Sequence, residues 1–508
     1  MEHADTAQLA AVGAALGSAL LLLARGRLPL LLGLGLLAIA EAGMALALGV
    51  GGVDQLLSAA GAAAAAVGIV AVAGAAAILV RRPQLTPLAV LVAAPIRPPL
   101  DFSTSNSFLV SVAEDGALGR LLPLYFVLAA AALALAFRMA RGEAVRALPR
   151  AVTLPAAAFF AFAFVSLLWA QDLEAGANLL VFFTLPFAVL FAVVARSPFP
   201  DWLPRALGMA AVALAAVFAV VGLWQAATHE LFFFAPNLEV SNANTDYFRV
   251  TSLFGDPSLY GRHLVLGIGI VLAVLAAGRL APWPGIAVLA LLWAGLLFSY
   301  SQSSMVALVV MALGVALAAG DRRVRRAVGA LAIVALVVAA GFVAVQLVEG
   351  NTLNHLTSDR TDRVEDTVRV IEEHPVMGVG VGSQPRASRE LAGSERPTPS
   401  FVSHTTPLTV AAELGIIGLA LYVWLLLGGA RAIANVMRRD QGLGVALGAS
   451  FLGLFVHALF YSGFLEDPIT WVVLAVVTGW LASAEAKATP AERARARGAA
   501  RRAEPVAP

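Results

Sequence analysis

Arg360, Arg363 and His404 stand in a polar stretch, residues 349–406, enclosed by two long apolar runs. The same stretch carries the segment EEHPVMGVGVG and closes on SHTTPLTVAAELG, so that His404 falls just before the next apolar run. A second polar stretch, 228–257, holds Asn242, Asn244, Asp246, Tyr247 and Arg249, and continues as VTSLFGDPSLYGRH with Arg262 near its end. Guanidinium forks suit phosphate oxygens because they are planar, bidentate and permanently charged. A helix starting at Asp256-Pro257 would add oriented N–H groups that also favour anions. An imidazole accepts or donates a proton near neutral pH. Together these residues are suited to chemistry on an anionic substrate. Each also has a plainer reading. Arg249 and Arg262 could reach lipid headgroups or pair with Asp256, Arg360 could be a solvated charge beside Asp359, and His404 could be a helix cap.

The elements that must position these groups are membrane helices. The chain has 508 residues, of which 60% are hydrophobic and 13% charged. Soluble domains carry about 25% charged residues. Mean hydropathy is +0.85, and apolar runs of about 20 residues recur, matching the thickness of a bilayer. The class is a polytopic all-α membrane protein. There is no cysteine, which excludes disulfides and thiolate chemistry. The acidic N-terminus MEHADTAQ lacks the basic region of a signal peptide, so the first apolar run reads as a retained helix.

About fifteen apolar segments can be counted. They lie near 7–25, 29–50, 57–80, 85–98, 118–138, 152–171, 176–196, 204–227, 258–278, 282–320, 327–348, 407–430, 443–463 and 468–485. The segment 85–98 is short and interrupted by Pro95 and Pro98. The stretch 282–320 is too long for one crossing and divides at the serine-rich turn around Gln302. One integral membrane domain over 1–485 is expected, with 228–257 and 349–406 as its functional loops and a basic, disordered tail over 486–508.

Basic links recur at Arg25–Arg27, Arg81–Arg82, Arg138–Arg150, Arg196–Arg205, Arg279, Arg322–Arg326 and Arg431–Arg439. With fifteen crossings all of them share one side, which the positive-inside rule makes cytoplasmic. The N-terminus is then outside, and so are 228–257, the Gln302 turn and 349–406. If 85–98 does not cross, the first three helices invert.

The cytoplasmic links carry no phosphate-binding glycine loop. The run Gly378–Gly382 lacks a strand-to-helix context and reads as a flexible turn. The segment RTDRVEDTVRVIEEHP reads as an amphipathic helix capped at Ser358-Asp359, suited to lie on the membrane surface and ended by His374-Pro375. Among membrane-buried ionisable groups, Glu41 and His457 read as satisfied core residues. The outer carboxylates are scattered among arginines, so no metal cluster is expected.

The ordered set RVTSLFGDPSLYGRHL, a serine-rich turn, Arg360 before a helix, EEHPVMGVGVG and SHTTPLTVAAELGIIGL resembles the bacterial O-antigen ligase superfamily over about 230–430. His404, ten residues and Gly415 match that family's His-x10-Gly pattern. The resemblance implies a GT-C-like glycosyltransferase of about 14–15 transmembrane helices with short helices in a large extracytoplasmic loop. It implies an undecaprenyl pyrophosphate-linked glycan donor and a glycan or lipid acceptor in polysaccharide or lipopolysaccharide assembly at the cytoplasmic (inner) membrane. Transfer would be inverting, with no metal, cofactor or nucleic acid. Carried over, Arg249 and Arg360 bind the pyrophosphate and His404 acts on the acceptor hydroxyl, with Arg262, Gln302 and Arg363 as further donor contacts. Many members have Ser-Arg where this chain has Ser301-Gln302, a charge that Arg262 or Arg363 would have to replace. A polysaccharide polymerase of the same superfamily is the nearest alternative, and a lipid-linked sugar flippase is the alternative of another class. Convergence of Arg249, Arg360 and His404 on one pocket is the expectation to check.

Overall fold

A computed structural model describes residues 3–49, 59–102, 110–112, 119–234, 236–320, 322–323, 325–326, 360–461 and 463–487. The expected crossing at 327–348, the cap Ser358-Asp359 and the tail from residue 488 lie outside these. The chain is an all-α polytopic membrane protein. Among the described residues, twelve helices are long and apolar enough to cross a bilayer. One short antiparallel pair, β1 (Leu100–Phe102) with β2 (Val110–Val112), accompanies them.

Helices dominate because a bilayer offers no water to the backbone, so each segment must satisfy its own N–H and C=O groups. In chain order they are α1 (Ala4–Leu23), α2 (Arg27–Ala47), α3 (Ala59–Arg81), α4 (Thr86–Ala93), α5 (Leu122–Ala140), α6 (Arg150–Val165), α7 (Leu173–Leu179), α8 (Leu185–Ala195), α9 (Leu203–Thr228), α10 (Pro236–Ala243) and α11 (Pro257–Ala276). There follow α12 (Pro282–Leu297), α13 (Gln302–Ala319), α14 (Arg360–Glu373), α15 (Gln384–Leu391), α16 (Thr406–Arg439), α17 (Gln441–Ala458) and α18 (Pro468–Lys487). A π-helical turn over Leu180–Thr184 joins α7 to α8 in one crossing. The apolar stretch 282–320 does divide at the serines: Ser301 caps α13, its side chain accepting from the Ser304 N–H.

Two cores form. α1, α6, α8, α16 and α18 build the larger, where Trp471 stacks on Phe160 at 4.4 Å. α9, α11, α12, α13 and α17 build the second. The cavity described below is lined by helices from both.

The arginine-rich links gather at one end of the bundle. Arg196 donates to the Arg146 carbonyl and to the carbonyls of Leu21, Leu22 and Ala24, which close α1. Arg27 donates to the Glu143 carbonyl, and Arg279 pairs with Asp440. At the other end, Gln8 near the start of α1 reaches the Leu168 carbonyl, and Trp169 reaches that of Met377. The short segment 85–98 connects the two ends. Gln84 shares a cleft with Arg146 and Ser483, whereas Arg97 lines a cavity with Arg262. The alternation expected from the charges therefore holds through the first three helices.

Three local expectations are corrected. The glycine run 378–382 is not a loose turn. The Val379 and Gly380 N–H groups donate to the Ala412 and Glu413 carbonyls, at 3.0 and 2.8 Å. Gly380 has φ +89°, and a Cβ there would fall 2.3 Å from Ala170. Next, α14 does not lie free, because Val370 packs with Val379, Ala387 and Ala412 and Ile371 joins them, while Val364 stays exposed. Finally, Glu41 is not a satisfied core carboxyl, since its Oε2 meets no hydrogen-bond partner among the described residues, and Arg262 and Glu413 are buried in membrane helices beside His457.

Candidate functional site

A cavity of about 430 Å³ opens at the end opposite the arginine-rich links. Its wall includes Arg97 after α4, Phe183 of the α7–α8 crossing, Arg262 and His263 of α11, Gln384 and Ser403 of the polar arm, Glu413 of α16, and Tyr461, Glu466 and Asp467 before α18. It draws cations and carboxylates from segments far apart in sequence.

Local chemistry fixes the α11 side. Asp256 caps the helix, its Oδ1 accepting from Ser258 and Leu259 at 2.6 and 3.1 Å. Buried Gln225 of α9 accepts from the Thr251 and Ser252 N–H groups and donates to the Ser252 carbonyl. These bonds hold the approach to α11 and so aim Arg262. Its guanidinium pairs with Asp467, donates to the Gly463 carbonyl at 3.3 Å and to His457 Nδ1 at 3.2 Å, and lies 5.7 Å from the Tyr461 ring. Because Nδ1 of His457 accepts, its Nε2 carries the hydrogen, 3.2 Å from both the Ser258 carbonyl and Ser303 Oγ. His457 is hydrogen-bonded in the core, as read from sequence, and it also couples Arg262 to the serine-rich turn.

The polar arm is fixed by Gln384. Its amide donates to Thr367 of α14 and to the Phe401 carbonyl, and its oxygen accepts from the Ser403 N–H at 3.0 Å. This places His404 beside α14, where Arg363 Nη1 meets its Nε2. An arginine N–H can only donate, so that nitrogen bears a lone pair and the imidazole is neutral. The His404 ring faces Tyr461 at 6.2 Å, and Tyr461 hydrogen-bonds Asp256. Tyr461 therefore stands between His404 and Arg262.

α16 breaks inside this site. Gly415 has φ +63°, and the Ile416 N–H leaves the helix to donate to Pro375. A Cβ at Gly415 would lie 2.2 Å from the Val376 carbonyl oxygen. Only glycine accepts both the left-handed backbone and that approach. The break leaves Glu413 near the end of a short helix, its carboxylate receiving the Gly382 and Gln384 N–H groups.

Of the residues expected from sequence, Arg262 lines the cavity, whereas His404 and Arg363 do not line it and are linked to Arg262 only through Tyr461. Arg249 is elsewhere on the same end. Asn242 grips its backbone in both directions at 3.0 Å, and its Nε is 3.5 Å from the Ser299 carbonyl, so it meets the serine-rich turn and does not line the cavity. Gln302 is exposed in the first turn of α13 and does not line it either. Arg360 opens α14, and its side chain lies outside the described part.

Sequence reading missed Arg97, Glu413, Tyr461, Glu466 and Asp467. Burial holds the Arg97 guanidinium below its ordinary pKa, with Asp467 acting in the opposite direction. Burial also raises the Tyr461 phenol, which keeps it a proton donor. A polar pair such as Glu466-Asp467 between two apolar runs, and an arginine between Pro95 and Pro98, were the available signals.

Residues 286–423 match the Wzy_C family, described as O-antigen ligase. That span covers the serine-rich turn, the polar arm and the broken helix. No curated protein matches the chain.

Proposed function

We propose, from the premise that this chain belongs to the O-antigen ligase superfamily and is a multi-pass membrane enzyme of glycan transfer, that it moves a glycan from an undecaprenyl pyrophosphate carrier to an acceptor hydroxyl. The observation that carries this reading is the cavity in which Arg97 and Arg262 share a wall, joined through Tyr461 to His404 and Arg363. A leaving pyrophosphate gathers negative charge as its bond to the sugar lengthens. Fixed guanidinium groups in an enclosed site stabilise that charge without reorganising, which accelerates the step. Arginine supplies this charge in every accessible pH range, so a bound metal is not required by the proposal. A single attack by the acceptor oxygen, opposite the leaving group, inverts the anomeric carbon.

The site lies at the end opposite the arginine-rich links. The positive-inside rule supports an extracytoplasmic position for it, where carriers are already loaded and no nucleotide sugar is at hand. His404 and Arg363 stand beside Tyr461, outside the cavity lining; His404 is proposed to act on the acceptor hydroxyl and Arg363 to contact the donor. Arg249 and Arg360 remain proposed donor contacts through their place on the same polar loops.

Reconstituting the purified protein with an undecaprenyl pyrophosphate-linked oligosaccharide tests the reading. New glycosidic bonds are expected, with release of undecaprenyl pyrophosphate. Carrier movement across the bilayer without bond formation would instead support a flippase, which the broken α16 and buried Glu413 favour on structural grounds. Glycan analysis of a deletion strain then separates the two transfer reactions. A single repeat on the final acceptor means polymerase, and full-length polymer left on the carrier means ligase.

A further inference from the structure

The arginine-rich end of the bundle holds a cleft of its own, about 380 Å³, with Gln84 ahead of α4, Arg146 before α6, Phe199 and Trp202 before α9, and Ser483 of α18 in its wall. Arg146 Nη1 donates to the Ser197 carbonyl at 3.1 Å and to Ser483 Oγ at 2.7 Å, which uses both hydrogens of that nitrogen. Its Nε and Nη2 donate to nothing among the described residues, and neither is sealed off. Those two nitrogens form one edge of the guanidinium, a fork that matches two oxygens of a phosphate.

The charges around the cleft are unbalanced. Among the described residues no carboxylate lines it. Glu143, the acidic side chain that acts on Arg146, is held by Arg138 through both of its oxygens. Arg196 adds a second cation behind the wall. It is 5% exposed, its Nη1 donates to the Arg146 carbonyl at 2.7 Å, and its other acceptors are carbonyls at the end of α1. Two guanidinium groups with only neutral acceptors are costly to enclose, and an anion in the cleft offsets that cost. Trp202 lies 46% exposed in the same wall. Such an indole sits at the headgroup level of a bilayer, and the leaflet facing arginine-rich links is the one that carries anionic lipids.

We infer that this cleft binds the headgroup phosphate of an anionic phospholipid, at a site separate from glycan transfer and independent of it. Nε and Nη2 of Arg146 receive two phosphate oxygens, Gln84 offers an amide to the headgroup, and Trp202 meets the start of the acyl chains. A zwitterionic headgroup fits less well, because the cleft has no carboxylate for its ammonium. The lipid supplies the negative charge that the two links and the end of α18 do not.

Native mass spectrometry of the full-length protein, released from detergent with equimolar phosphatidylglycerol and phosphatidylcholine of the same acyl chains, tests this. The parent should retain phosphatidylglycerol in preference by about tenfold, the size of a charge-assisted hydrogen-bonded contact. Arg146→Gln should bring the two lipids near parity. Arg279→Gln, at the same end but already paired with Asp440, should keep the parental preference. Ala486→Glu places a carboxylate at an exposed position of the cleft; it should abolish the preference, and it decides alone if Arg146→Gln fails to fold. Equal retention of both lipids by the parent, or an unchanged preference in the folded Arg146 and Ala486 variants, overturns the site. An equal loss in Arg279→Gln also overturns it, in favour of general attraction to a basic surface. Displacement of the lipid by millimolar inorganic phosphate overturns the lipid as the source of the anion.

Discussion

Arg262 and Asp467, 205 positions apart in the chain, form an ion pair in which both side chains are about 5% exposed. The pair joins α11 to the start of α18 at the edge of the cavity. Removing one partner strands the other charge, so Arg262→Ala should cost about 3–5 kcal/mol. Replacing both, as Arg262→Met with Asp467→Leu, should restore most of that stability, because apolar pairs of similar volume often substitute for buried ion pairs. Thermal unfolding in detergent measures this. Transfer should stay lost in the double variant. Parental turnover there would make the arginine structural only.

His404 and Arg363 share one contact and should act as a unit. Each alanine variant is expected to lose about 100- to 1,000-fold in turnover, and the double variant no more than the worse single one. Losses that multiply would assign the two side chains independent roles. The cycle is read from initial rates of glycosidic-bond formation at matched protein levels.

Arg97 separates electrostatic work from folding. It follows α4 and faces the cavity, so Arg97→Ala should leave the unfolding temperature within a few degrees of the parent, about 1 kcal/mol or less, while turnover drops about 100-fold. Arg97→Lys keeps the charge but not the fork and should recover only part of the rate. Equal turnover in parent and Arg97→Ala would remove this residue from the donor site.

Glu466 should make stability pH-dependent. Burial raises its pKa above the ordinary 4.5, despite the opposing influence of Arg262, and its Oε2 has no hydrogen-bond partner among the described residues. The folded state therefore holds a proton that the unfolded chain releases above pH 4.5. The associated stability is full below that pH and is lost as pH rises through the folded value. Glu466→Gln should thus raise the unfolding temperature more at pH 8 than at pH 5. A shift of equal size at both pH values would contradict the assignment.

The helices were legible because bilayer thickness forces long apolar runs, and the serine-rich turn stood out where one run was too long. The arginine-rich links fixed which helix ends lie together, and that placed the two polar loops on one end. The break at Gly415 was not legible, since glycine also packs membrane helices and the chain has 45 of them. Glu413 was hidden in an apolar run that continues on both sides. Arg97 lies among prolines that read as an interruption, yet its segment reaches the cavity. His404 with Arg363 could be anticipated as neighbours on one loop, whereas the contribution of Tyr461, Glu466 and Asp467 depends on tertiary packing that no local pattern encodes.

The pairing of residues 375–380 along the interrupted α16 moors the protein just before Pro385, and Gln384 moors it again at Ser403. Residues 391–400, mostly exposed between the buried Ser388 and the buried Phe401, therefore hang between these anchors. Their length and composition can change without disturbing the register of the cavity floor.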